Sequence, residues 1–323
     1  MLATTKNNEI RFERMILGGQ ATMTHKTFTT TINGGYEMPY LGVYEGEVSV
    51  SDFADLDPQA ELISFGAKTR NLQLLPDFKS VRYVGLGRNT FSAELLEYLS
   101  RLPELEVMQI SHDSQETWPS LAPLSALKYL ILYDVKKQAD LSFLSGMTQL
   151  ESLFLSELLK LNDISALATL PNLREFAIEG DLHGRGSVLP DTAALFTLTK
   201  LEHLKFFSKK TVFNAADFRA FSRLRYIHIS PFHHPFEFYA ELERYLPDDC
   251  EKAVQHLLAN YAEDQCTRCG AMGLIKPIGS RQRAFCPSCN RKKLDSLLDT
   301  YESLSGKPRS AAIAHIEWME DLK

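Results

Sequence analysis

The chain is 323 residues long, 44% hydrophobic and 24% charged, with a formal charge of −6. This is the composition of a globular protein, and it excludes a fibrous or mostly disordered chain. No apolar stretch reaches the roughly eighteen residues of a membrane span, and residues 1–31 lack the apolar core of a secretory signal. The sequence therefore reads as a cytoplasmic protein without a membrane partner.

Residues 1–22 read as a flexible extension and residues 23–59 as a β-rich N-terminal cap, in which Asn33-Gly34-Gly35 is a hairpin-type turn signal. From residue 60 to 235 one pattern dominates: apolar-x-x-apolar-x-apolar. It starts at Val81-Arg82-Tyr83-Val84-Gly85-Leu86 and recurs from Leu105, Leu127, Leu150, Leu173, Leu201 and Leu224. The intervals are 24, 22, 23, 23, 28 and 23 residues. Ala60–Phe65 reads as an irregular earlier copy. A second apolar set follows each strand, such as Leu141, Leu144 and Met147, or Ile164, Leu167 and Leu170. One unit cannot bury both sets alone, so neighbours must stack into a continuous core. The longest interval places its extra residues around Gly180–Ser187, which reads as a surface loop.

These units resemble leucine-rich repeats. The stretch from Asp140 through Asp163-Ile164-Ser165 to Pro171-Asn172-Leu173 is similar to bacterial internalin-type repeats, and the resemblance covers roughly residues 60–230. It implies an α/β solenoid: a leucine-rich repeat arc with a parallel sheet on its concave side. The family usually places Asn or Cys three residues beyond the last apolar strand position. Here that position holds Asn89, Asp113, Val135, Leu158, Asp181, Lys209 and Phe232. Irregular turns on the convex side are expected.

Within each strand the apolar residues face the core, and their sequence neighbours face the concave side. That rule gives a binding face of Tyr83, Tyr129, Ile131, Tyr133, Phe154, Glu175, Glu179, His203, Lys205, Phe207, Tyr226 and His228. Leu153 and Leu155 are expected inside, with Phe154 between them exposed. Tyr129, Ile131, Tyr133 and Phe154 are expected to form one exposed patch, suited to a protein partner because aromatic side chains dominate interface hot spots. His112-Asp113 and His233-His234 carry no catalytic spacing.

Further on, Phe236–Leu246 and Asp248–Ala262 read as helices broken at Pro247, giving a helical cap over 236–263. Cys250 reads as a buried helix residue. Residues 264–323 read as a zinc module followed by C-terminal helices. Cys266-Thr267-Arg268-Cys269 and Cys286-Pro287-Ser288-Cys289 form C-x2-C-x16-C-x2-C, in which two knuckles aim four thiolates at one ion. The motif resembles the zinc-ribbon and treble-clef class, with a helix expected over Leu294–Leu304. One structural zinc is expected, since four thiolates leave no open position for catalysis; the spacing alone leaves iron as an alternative.

Arg268, Lys276, Arg281, Arg283, Arg291, Lys292 and Lys293 lie between the first and last of these positions without any acidic residue, so the rest of the chain carries −13. The leading reading is a non-enzymatic protein-binding scaffold with a structural zinc site; the repeat resemblance suggests a bacterial immunity or adaptor protein. The alternative is a nucleic-acid-associated factor using the basic module.

Overall fold

The computed structural model describes residues 47–180, 186–254 and 256–313, together with the backbone of four short strands before residue 37. The chain forms two compact units, Met1–Thr211 and Val212–Lys323.

In the first unit, strands Val48–Asp52, Leu62–Arg70, Tyr83–Leu86, Val107–Ser111, Tyr129–Tyr133, Ser152–Ser156, Glu175–Glu179 and His203–Phe206 follow one another. Each pairs in parallel with its neighbour in sequence. Equivalent repeat positions meet: Leu153 lies opposite Leu130 and Phe176, and Phe154 lies opposite Ile131 and Ala177. The irregular early copy is thus a true member of the sheet. Leu153 and Leu155 are fully buried, as the pattern requires.

The return segments carry short 3-10 turns, Ser142–Leu144, Ser165–Thr169 and Ala193–Thr197, and the second apolar set packs beneath them. Each turn is started by an aspartate two residues ahead. Asp140, Asp163 and Asp191 accept the backbone N–H of Ser142, Ser165 and Ala193 at 2.7–2.8 Å. These side chains supply the acceptor that a short turn otherwise lacks.

The irregular convex turns also have a local cause. Asp113, 1% exposed, accepts from the Gln115 backbone N–H at 2.9 Å and from Trp118 Nε1 at 3.1 Å. It takes over the buried acceptor duty of the family's asparagine. Asn89 accepts from the Ser114 backbone N–H of the next repeat at 3.0 Å. Val135 and Leu158 make no such bond and fill the core instead. Asp181 lies outside the described residues, as does most of the loop around it.

Ahead of the sheet, Thr31–Ile32 pairs antiparallel with Gly35–Tyr36, bracketing the Asn33-Gly34 turn signal. Phe12–Glu13 pairs with Thr22–Met23, so the expected extension contains at least one backbone pairing. The remaining residues before Glu47 lie outside the described set.

In the second unit, strand Tyr226–Ile229 continues the repeat pattern and pairs in parallel with Glu251–Lys252. The expected helix Phe236–Leu246 forms over Phe236–Tyr245. The expected helix over Asp248–Ala262 does not form. Its residues divide between Glu251–Lys252 and strand Leu258–Gln265, which pairs antiparallel with Met272–Pro277. Strand partners were available on both sides, and that pairing overrides a weak helical preference. Cys250 is buried, but outside any helix.

Candidate metal centre and sheet face

The first cysteine pair sits in the turn of the hairpin formed by Leu258–Gln265 and Met272–Pro277. The Cys266 N–H donates to the Ala271 carbonyl at 2.8 Å, and the Gly270 N–H returns to the Cys266 carbonyl at 2.9 Å. Gly270 closes this knuckle at φ +73, a conformation that a Cβ would strain. The second pair ends where a helix begins. The Asn290 N–H donates to the Cys286 carbonyl at 3.0 Å, and helix Arg291–Ser305 follows.

These two knuckles bring all four sulfurs within 4.8 Å of one another. Cys266 Sγ lies 3.9 Å from Cys289 Sγ, and Cys269 Sγ lies 3.6 Å from Cys286 Sγ. A tetrahedron with metal–sulfur bonds of about 2.3 Å has edges of about 3.8 Å, so the donor set fits a closed tetrahedral ion. Backbone N–H groups of Cys269 and Arg268 lower the Cys266 thiol, while the sulfurs of Cys269 and Cys266 and desolvation raise that of Cys289.

On the sheet, the sequence neighbours of the core residues share one side, arranged in three rows across the strands. The first row holds Tyr83, Val107, Tyr129, Ser152, Glu175 and His203; the second holds Gly85, Gln109, Ile131, Phe154, Ala177 and Lys205. The third holds Ser111, Tyr133, Ser156 and Glu179, with Phe207 just beyond the last strand. The expected register is therefore present, and Tyr129, Ile131, Tyr133 and Phe154 do neighbour one another.

Their expected exposure is not observed. Phe154 is 0% exposed, Ile131 8% and Tyr83 2%; Glu175, His203 and Lys205 are buried too. In the second unit Tyr226 and His228 are likewise buried. Tyr129, Tyr133, Glu179 and Phe207 are half-buried. Phe154 packs with Ile131 and Ala177, with Tyr133 against them, while Tyr83 packs with Leu62 and Val107, next to Tyr129. Gly85 makes room for this, because a Cβ there would meet the Tyr83 hydroxyl at 2.8 Å. Alternation along a strand specifies a side of the sheet; it does not specify whether a ring on that side is exposed.

The later strands carry charge. Lys205 forms an ion pair with Glu179, and His203 Nδ1 lies 3.8 Å from Glu175 Oε1. Burial pushes the Glu175 carboxyl up to about 7, against a hydrogen bond from Ser152 and the charge of Arg174 that lower it. A carboxyl raised in the folded state binds more protons there than in the unfolded chain. Its contribution is favourable below about 4.5 and is lost as pH rises through about 7. Glu175→Gln is therefore expected to stabilise the protein at pH 8 by roughly 1–3 kcal/mol and to change little at pH 4. Urea melts at the two pH values check this; equal effects at both would contradict it.

At the carboxyl ends of the strands lies a polar cluster that sequence reading overlooked. His112 Nδ1 is 2.7 Å from Asp134 Oδ2, and Lys136 Nζ is 3.2 Å from the same oxygen. The Tyr133 hydroxyl donates to Glu157 at 3.3 Å, and its ring meets the His112 ring edge-on at 5.2 Å. His112, Asp134 and Glu157 have φ of 58, 52 and 60, each just past its strand. The partner of His112 is the acid one repeat later, not its neighbour Asp113. The signal was the repeat period itself, applied to polar residues.

Repeat-spaced parallel strands with matched register make the first unit a leucine-rich-repeat solenoid, and the second carries a four-cysteine cluster fit for one metal ion. No protein-family profile and no curated protein matches the chain. Among solved structures, the internalin inlF of Listeria monocytogenes is 21% identical with a TM-score of 0.41, covering 56% of this chain, which spans 52% of the internalin. Internalin C2 of the same organism is 18% identical at TM-score 0.40, over 55% of this chain and 72% of its own. A leucine-rich repeat protein of Leptospira interrogans is 12% identical at TM-score 0.40, over 64% and 58%. The fold assignment rests on the chain's own register and spacing, not on these likenesses.

Proposed function

We propose that the chain is a non-enzymatic scaffold that binds another protein on the concave side of the repeat sheet, with one zinc ion stabilising the C-terminal module. The observation that supports the reading is the composition of the third row, the least buried part of this face. Tyr133 and Phe207 are half-buried rings there, with Glu179 between them and His112, Asp134, Lys136 and Glu157 at its edge. Aromatic contact area set among charges is the composition of an interface. Tyr129 extends it, and the buried Tyr83, Ile131, Phe154, Glu175, His203 and Lys205 form the platform beneath. Tyr226 and His228 hold the matching strand positions of the last repeat, in the second unit.

Two features support a non-enzymatic role. Four thiolates leave a metal no open position. Burial, with Asp249 beside it, pushes the Cys250 thiol up to about 12, so the cysteine outside the cluster rests protonated and is a poor nucleophile. Cytoplasmic placement and an immunity or adaptor role in a bacterium belong to the same proposal, since reduced thiolates of this kind persist in reducing compartments.

The test is Tyr133→Ala combined with Phe207→Ala, followed by affinity capture from the native cell. The variant is expected to melt within a few degrees of the parent and to lose at least tenfold in recovered partner, since a central interface aromatic is often worth about 2 kcal/mol. Full recovery would move the binding surface elsewhere.

A further inference from the structure

Six large apolar residues are exposed among the described residues, and three of them, Phe232, Tyr261 and Met272, lie on or beside one face of the hairpin next to the metal centre. Tyr261 is 43% exposed, Met272 52% and Phe232 57%. Register explains the grouping. Tyr261 lies opposite Leu274, and Ala259 opposite Lys276, so these residues share the outward side, while Ile275 and Leu258 point inward and are fully buried. Lys276 Nζ sits 5.4 Å from the centre of the Phe232 ring. The Gly279 and Ser280 N–H groups donate to the Pro231 and His234 carbonyls, which holds exposed Arg281 next to the Phe232 loop. Glu263 and Asp264 are exposed acids further along the same strand. The surrounding segment from Cys266 to Lys293 has seven basic residues and no acidic one.

We propose that this face binds single-stranded nucleic acid, with bases stacking on Phe232 and Tyr261 and phosphates meeting Lys276 and Arg281. Exposed rings on a two-stranded sheet, flanked by cations, match what a single strand offers: π-faces and a polyanionic backbone. A protein partner instead anchors side chains in pockets. A cavity between Ile227, Tyr239, Leu246 and Leu257 is not lined by Phe232, Tyr261 or Met272. Direct counterpart charges also favour a polyanion over an apolar partner, because Lys276 and Arg281 border the rings.

The proposal does not rest on the sheet-face reading. Its test uses the full chain, as purified, and fluorescence anisotropy with mixed-sequence single-stranded RNA and DNA of about 20 nucleotides, the matching duplex, and poly-glutamate as competitor. Single strands should bind more tightly than duplex, with affinity falling as salt rises. Phe232→Ala and Tyr261→Ala should each weaken binding about tenfold without changing the salt slope. Lys276→Ala should flatten that slope by about 0.7. All three positions are outward, so melting and metal content serve as controls, and Tyr133→Ala with Phe207→Ala should leave binding intact. No binding at about 50 mM salt would overturn the proposal. So would binding indifferent to both aromatic substitutions. Displacement by poly-glutamate at equal charge would reassign the face to an acidic protein segment.

Discussion

Phe154→Ala is expected to destabilise the protein by about 3–5 kcal/mol, as much as a core substitution, although Phe154 lies on the concave side. The ring is 0% exposed and packs with Ile131 and Ala177, its partners one strand away on either side. Truncation removes its burial and leaves a cavity between them. Leu153→Ala, on the core side of the same strand, should cost about 2–5 kcal/mol. Urea denaturation of both variants checks the pair. A loss under 1 kcal/mol for Phe154→Ala, beside a large one for Leu153→Ala, would place the ring in solvent.

Removing the metal should produce the other large effect. Protein purified without added metal is expected to hold about one zinc per chain, and Cys286→Ser to lose it. Free energies of about 10–16 kcal/mol for zinc binding by isolated finger peptides bound the stabilisation from above. Loss of several kcal/mol, seen as unfolding of the hairpin and of helix Arg291–Ser305 on strong chelation, is the expected outcome. Both knuckles gain from the ion, because each half contributes two of the four sulfurs. Stoichiometric iron would replace zinc by an electron-transfer ion, and absence of any metal would contradict the site.

The two effects differ in how far the sequence announces them. The metal cluster follows from spacing alone, since two residues between cysteines admit few geometries. The sheet register follows from the apolar repeat, and Leu153, Leu155 and the Leu141 and Ile164 sets lie where that repeat requires. Burial on the concave side does not follow: Phe154 packs with Ile131, Ala177 and Tyr133, residues a repeat or so away. The Asp248–Ala262 segment failed for a related reason. Its helical composition is local, but its partners, Tyr226–Ile227 and Met272–Pro277, are distant in sequence. The His112–Asp134 pair was legible in principle, as a polar residue and its acid spaced by one repeat, but adjacency in the sequence points to Asp113 instead.

The claim that a protein partner docks on the third row is tested most directly by site-specific photo-crosslinking. A photoreactive phenylalanine analogue placed at Tyr133, activated in the native cell, should yield one discrete protein adduct. The same analogue at Lys160, in the return segment beyond the strand, should yield none. Adducts of equal yield from both positions, or an adduct from Lys160 alone, would contradict docking on this row.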